Sequence, residues 1–167
     1  DVGEVAADYL GQETSAEHPR IYRNRGDGTF EDVTAAKGLD IVSMPMGANY
    51  GDLDNDGWLD FYLGTGNPSV KMTIPNRVFR NDRGNGFLDI TTNGGFGHLQ
   101  KGHGVSFADI DNDGDQDIFT VLGGAFTGDI AFNALYENPG NSNHWLTLRL
   151  IGTRSNHNAI GARVQVE

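Results

Sequence analysis

The sequence predicts an all-β fold assembled from β-propeller-type blades, a partial propeller followed by a C-terminal β segment. Three observations predict it. Twenty-four glycines and five prolines punctuate a 167-residue chain whose apolar runs are short, the pattern of many strands and turns. Long stretches of helical period are missing, so helix content should be very low. Two stretches, 47–64 (GANYGDLDNDGWLDFYLG) and the one opening at Gly104 (GVSFADIDNDGDQDIFTV), copy one another 57 residues apart.

That spacing recurs along the chain. Tyr22-Arg23-Asn24 is matched by Phe79-Arg80-Asn81 and again by Tyr136-Glu137-Asn138, and Phe30-Glu31-Asp32-Val33-Thr34 by Phe87-Leu88-Asp89-Ile90-Thr91. Within one unit, a strand at 20–24 leads through an Asp27-Gly28 hairpin signal into a strand at 30–34. One helical turn is expected at 35–38. A strand at 47–50 then enters the acidic loop, and the strand 59–63, apolar on both faces, leaves it. Four strands in 57 residues fit one propeller blade. The expected divisions are an N-terminal strand region at 1–21 ending a preceding blade, repeats at 22–78 and 79–135, and, at 136–167, the start of a third repeat and a further β domain. In that last part 145–150 and 162–167 alternate as strands, and 153–158 is a polar loop.

Each acidic loop places carboxylates at positions 1, 3 and 5, a glycine at 6 and a carboxylate at 9. These are Asp52, Asp54, Asp56, Gly57 and Asp60 in the first copy, and Asp109, Asp111, Asp113, Gly114 and Asp117 in the second. Alternate carboxylates on a curled chain converge on one point, which suits a hard cation taking six to eight oxygens. The glycine permits the sharp turn. The backbone carbonyls of Trp58 and Asp115, at position 7, can complete the shell. An EF-hand would need a bidentate acid at position 12, where Leu63 and Thr120 stand, and the flanks are β-formers. Asp-Asn-Asp-Gly is also ordinary turn chemistry, but two copies in register, one with five carboxylates in nine residues, call for a compensating cation. Two Ca²⁺ sites are therefore expected.

Nine of the 23 acidic residues lie in these loops, and the net charge is −11. Such a balance excludes nucleic-acid binding, which requires a basic patch. No apolar run is long enough to span a membrane. With no cysteine, disulfides and thiolate metal sites are absent. Calcium sites favour an extracellular or periplasmic location, and a chain opening at Asp1 reads as a processed or excised piece.

Arg25-Gly26-Asp27 could suggest adhesion but serves a hairpin, and the second repeat has Asp82-Arg83-Gly84 there. Asn67-Pro68-Ser69 is no glycosylation site, because of its proline. The segment 94–104, with His98, Lys101 and His103, could contact a ligand or supply a metal, although lone histidines are more often structural. No arrangement has nucleophile spacing, so the chain is not read as an enzyme.

The motifs at 22–34 (YRNRGDGTFEDVT), 51–60 (GDLDNDGWLD), 101–104 (KGHG), 108–117 (ADIDNDGDQD) and 143–164 resemble the FG-GAP/VCBS repeats of the ASPIC/UnbV (cartilage acidic protein-like) family. The last is similar to the opening of that family's C-terminal domain. The resemblance implies a calcium-stabilised propeller, with the acids at positions 1, 3, 5 and 9 as ligands, in a secreted structural or protein-interaction module. Family propellers close with several blades, so this chain is expected to be a fragment or to associate with copies of itself into a ring or filament. The alternative is a carbohydrate-binding, lectin-like module, or less readily an accessory domain of a polysaccharide-acting enzyme. Glycan binding needs aromatic platforms, for which Trp58, Tyr62 and Phe126 are the candidates.

Overall fold

The computed structural model describes residues 1–154 and 156–166. Among the described residues nine strands form three antiparallel sheets of two, four and three strands. The first pairs β1 (Tyr22–Asn24) with β2 (Phe30–Asp32). The second runs in order β3 (Pro45–Gly51), β4 (Asp60–Thr65), β5 (Arg77–Asn81) and β6 (Phe87–Asp89). The third runs β7 (Gly102–Ala108), β8 (Asp117–Leu122) and β9 (Ala134–Tyr136). The protein is nearly all-β, a partial propeller of one complete blade flanked by two incomplete ones.

The 57-residue echo is physical down to single hydrogen bonds. In the first unit Asp32 Oδ1 accepts from the backbone N–H and the hydroxyl of Thr34, and Thr34 Oγ1 accepts from Ile21 N–H. In the second, Asp89 Oδ1 accepts from Thr91 N–H and Thr91 Oγ1 from Val78 N–H. The ion pair Arg20–Asp32 is repeated as Arg77–Asp89. The Asp-x-Thr signature thus staples the two outer strands of each unit, leaving few unpaired donors where short strands end.

The sheets divide the chain in a different phase from the repeats 22–78 and 79–135. Blade two spans β3 to β6 and so straddles that boundary. Its inner pair comes from one sequence unit and its outer pair from the next. The β1–β2 pair corresponds to the outer strands β5–β6 alone. Residues 1–21, expected as a strand region, instead carry a helix, α1 (Val2–Tyr9), capped by the Asp1 carboxylate on Glu4 N–H. Ala6 and Ala7 are strong helix formers that, with the Asp1 cap, outweigh the β-branched Val2 and Val5. A 3-10 turn at Ala35–Lys37 ends on Gly38 at φ 74°, as expected.

The C-terminal expectations are not met. Residues 145–150 and 162–166 form no strand, because an alternating stretch needs a partner edge before it becomes one. Ser155, in the expected polar loop, and Glu167, ending the expected last strand, lie outside the described residues.

The core lies between the second and third sheets, where Tyr62 and Val78 meet Val105 and Ile118, with Phe107 and Tyr136 packed against them. The opposite face of β4 carries Phe61, stacked on Phe79 at 4.9 Å and edge-on to Phe87 at 5.0 Å. Both faces of β4 are thus apolar, as the sequence required. Beyond Phe61 and Phe79 lies a hollow of about 290 Å³, lined by Ile21, Leu39, Ile41, Ala48 and Leu63. It opens beside β1–β2, where a complete blade would supply two inner strands.

Candidate metal centre

The acidic loops join β3 to β4 and β7 to β8, at the same edge of neighbouring sheets. Each curls by placing two residues in the left-handed region, Asn55 (φ 53°) with Gly57 (φ 87°), and Asn112 (φ 64°) with Gly114 (φ 95°). Asparagine and glycine tolerate that conformation best. The first carboxylate then collects the loop's own amides. Asp52 accepts from Asp56 N–H (3.1 Å) and Gly57 N–H (2.9 Å), and Asp109 accepts from Asp113 N–H (3.1 Å) and Gly114 N–H (3.1 Å).

The curl brings one oxygen from each of Asp52, Asp54 and Asp56 within 4.8 Å of one another, and does the same for Asp109, Asp111 and Asp113. The first trio is half-buried and the second exposed. Among the described residues, no other group of three acids or histidines converges in this way. Asp54 Oδ1 is buried without a hydrogen-bond partner. Burial, then the neighbouring Asp56 charge, push the Asp54 carboxyl above its usual range, and Asp111 is raised in the same direction. Carboxylates that repel one another around a partnerless oxygen are an arrangement a divalent cation would satisfy.

Asp60 and Asp117 stand apart from those trios. Asp60 is 1% exposed, and its two oxygens accept from Leu53 N–H and Asn81 N–H, both at 2.8 Å. Asp117 repeats this with Ile110 (3.0 Å) and Asn138 (2.9 Å). Each ties the loop entrance to the end of the next strand of its own sheet, β5 or β9. Burial raises the Asp60 carboxyl to about 6. The sequence marked these acids as ligands; the clamp they form depends on contacts some 20 residues away, which spacing does not reveal.

The position-7 residues diverge. Trp58, 45% exposed, lays its ring over Gly84, where a Cβ would lie 2.6 Å from Trp58 Cζ3. The Asp115 carboxylate accepts from Asn55 Nδ2 at 2.5 Å and from Asn141 Nδ2 at 3.3 Å. Asn55 therefore links the first loop to the second, and it also donates to Gly114 O. Gln116 Oε1 accepts from Asp52 N–H at 2.9 Å. These bridging amides were not singled out in the sequence, and only their seats between acidic positions could have signalled them.

The loops differ in charge. Arg80 lies 3.8 Å from Asp54, and Arg83 lies 3.9 Å from Asp56. The residues one period later are Glu137 and Gly140. The second loop therefore holds more negative charge with less compensation.

Two of the other sequence candidates, Lys101 and Tyr62, are buried. Lys101 is 1% exposed and its ammonium donates to Asp129 at 2.7 Å. His103 Nε2 meets Gly123 O at 2.7 Å, and the His98 carbonyl accepts from Asn76 N–H at 3.1 Å. Tyr62 is fully buried, which removes it as a sugar platform.

The FG-GAP-like repeat family profile matches residues 6–63 and 64–120, more than half of the chain. The chain belongs to the FG-GAP-like repeat family. It is also 32% identical over 103 residues to cartilage acidic protein 1 of Xenopus tropicalis, covering 59% of this chain and 15% of that protein. This FG-GAP chain thus spans a small part of the relative's length. No described helix is long and apolar enough to cross a membrane.

Proposed function

We propose that this chain is a calcium-binding extracellular β-propeller module with a structural and protein-interaction role. The observation that carries the reading is the Asp52–Asp54–Asp56 trio, converged within 4.8 Å, in which Asp54 Oδ1 is buried and has no partner. Asp52, Asp54 and Asp56 would hold one Ca²⁺, and Asp109, Asp111 and Asp113 the second. Trp58 and Asp115 would add carbonyls, with Asp60 and Asp117 closing each loop. The bound ion supplies charge compensation, and each loop joins two strands of one blade, so binding energy becomes folding energy.

An interaction role is supported by the incomplete blades. The hollow beside β1–β2 and the open outer face of β7–β8–β9, with Phe119 and Val121 part-exposed, suit further blades, from a longer chain or from copies of this one. A relative named cartilage acidic protein 1, together with the proposed calcium sites and this chain's own net charge of −11, favours an extracellular setting.

The test is calcium titration calorimetry with thermal unfolding, in calcium and after chelation. Two bound ions and a large rise in melting temperature are expected. Absence of binding at millimolar calcium, the usual upper limit for extracellular modules of ~1 mM, would remove the reading.

A further inference from the structure

One period after the β5–β6 hairpin, the chain does something different. Asn138 begins as Asn81 does. Its N–H donates to Asp117 where Asn81 donates to Asp60, and its Nδ2 donates to Gln116 O where Asn81 donates to Leu59 O. Blade two then turns back as β6. In the third sheet Pro139 and Gly140 stand where Asp82 and Arg83 turn the hairpin, and no fourth strand returns among the described residues. The segment crosses the mouths of both acidic loops instead.

Four side chains make that crossing. Asn138 Nδ2 also donates to Leu53 O of the first loop at 2.8 Å, and Asn143 Nδ2 to Asp54 O at 2.7 Å. Asn141 donates to the Asp115 carboxylate of the second loop. The Trp145 indole rests on Gly114, so closely that a Cβ there would fall 1.8 Å from Trp145 Cε2. The corresponding Gly57 has nothing within 4 Å.

We propose that residues 138–145 are a strap docked on both acidic loops, coupling the segment that follows to metal occupancy. The proposal rests on the calcium reading above. Every strap contact lands on a backbone or side-chain atom of a loop whose shape depends on how its carboxylates are compensated. Ordering the loops orders the seat of the strap, and the fixed strap then sets where residue 146 onward leaves the propeller. By linkage the effect is reciprocal: a strap that calcium docks must strengthen calcium binding by the same factor.

The chain holds two tryptophans, one at each loop, which allows a direct test. In Trp58→Phe, Trp145 is the only fluorophore of its kind, and calcium binding is measured by calorimetry on the same protein. Addition of Ca²⁺ should shift Trp145 emission and reduce its quenching by acrylamide, with the calorimetric midpoint. In the otherwise native chain, Asn141→Ala with Asn143→Ala should weaken calcium binding about fivefold, the low end of ordinary coupling. Calcium binding with a silent Trp145, or with affinity unchanged in the double variant, overturns the strap and leaves the calcium sites standing. No calcium heat at all overturns both.

Discussion

Gly47 and His103 approach so closely that a Cβ on Gly47 would sit 1.7 Å from the His103 carbonyl oxygen. Gly64 meets Gly102 in the same way, and Asn49 Nδ2 donates to Val105 O across the same seam. Neighbouring blades therefore touch backbone to backbone, which only glycine allows. Gly104, one period after Gly47, meets nothing nearer than Val121 at 3.9 Å, because no further blade covers it. Gly47→Ala should cost about 3 kcal/mol or more through overpacking against backbone. Gly104→Ala should be neutral within about 0.5 kcal/mol. Urea unfolding of both variants checks the contrast, and equal losses would contradict the seam.

Asp60 serves two backbone amides from one buried carboxylate. Asp60→Ala strands Leu53 N–H and Asn81 N–H, at a cost of about 2–4 kcal/mol for two unsatisfied donors. The loss should persist in metal-free protein, which separates the clamp from ligation. Unfolding of the variant after chelation measures it.

The same residue gives the metal-free protein a pH dependence. Burial raises its carboxyl to about 6 in the fold, above the ordinary aspartate value of about 4. A group raised by folding contributes stability below its unfolded value and loses it as pH rises through the folded one. Metal-free melting temperature should therefore fall between about pH 5 and pH 7, and calcium should remove that fall. A flat profile in chelated protein would show that Asp60 stays ionised throughout.

Arg80 and Arg83 stand in for part of a cation at the first loop, and the second loop has Glu137 and Gly140 instead. Arg80→Gln should raise calcium affinity at the first site about threefold to tenfold, an effect of a charge near a half-buried site worth about 1 kcal/mol. The second site should not change. Calorimetry in a background lacking Asp111 isolates the first site.

Much of this was legible in the residues. The 57-residue period, the hairpin at Asp27-Gly28, the two-faced strand around Tyr62 and the convergence of Asp52, Asp54 and Asp56 all follow from local chemistry repeated in register. The phase of the blades was not legible, since a period looks the same wherever counting starts, and only strand pairing shows that β3–β4 close with β5–β6. The helix at Val2–Tyr9 and the unpaired 145–150 were missed for a related reason: strand formation there depends on a partner edge, not on alternation. Asn55 and Gln116 act across blades, beyond the reach of any local pattern.

Lys101 shows what the repeat conceals and how it can be tested. Its buried ammonium pairs with Asp129, whose side chain is 7% exposed, in a pocket where Gly124 leaves no room for a Cβ. One period earlier the same seats hold Met44 and Met72, and the backbone bond Gly66 N–H to Met44 O is repeated as Gly123 N–H to Lys101 O. The ion pair thus occupies a place the fold also fills with thioethers. Lys101→Met alone abandons a buried carboxylate and should cost about 3–5 kcal/mol, whereas Lys101→Met with Asp129→Met should be near neutral or stabilising. Denaturant unfolding of the single and double variants decides it. A double variant as unstable as the single would mean that the pair does more than fill this seat, and that the loop after Gly123 is held by charge.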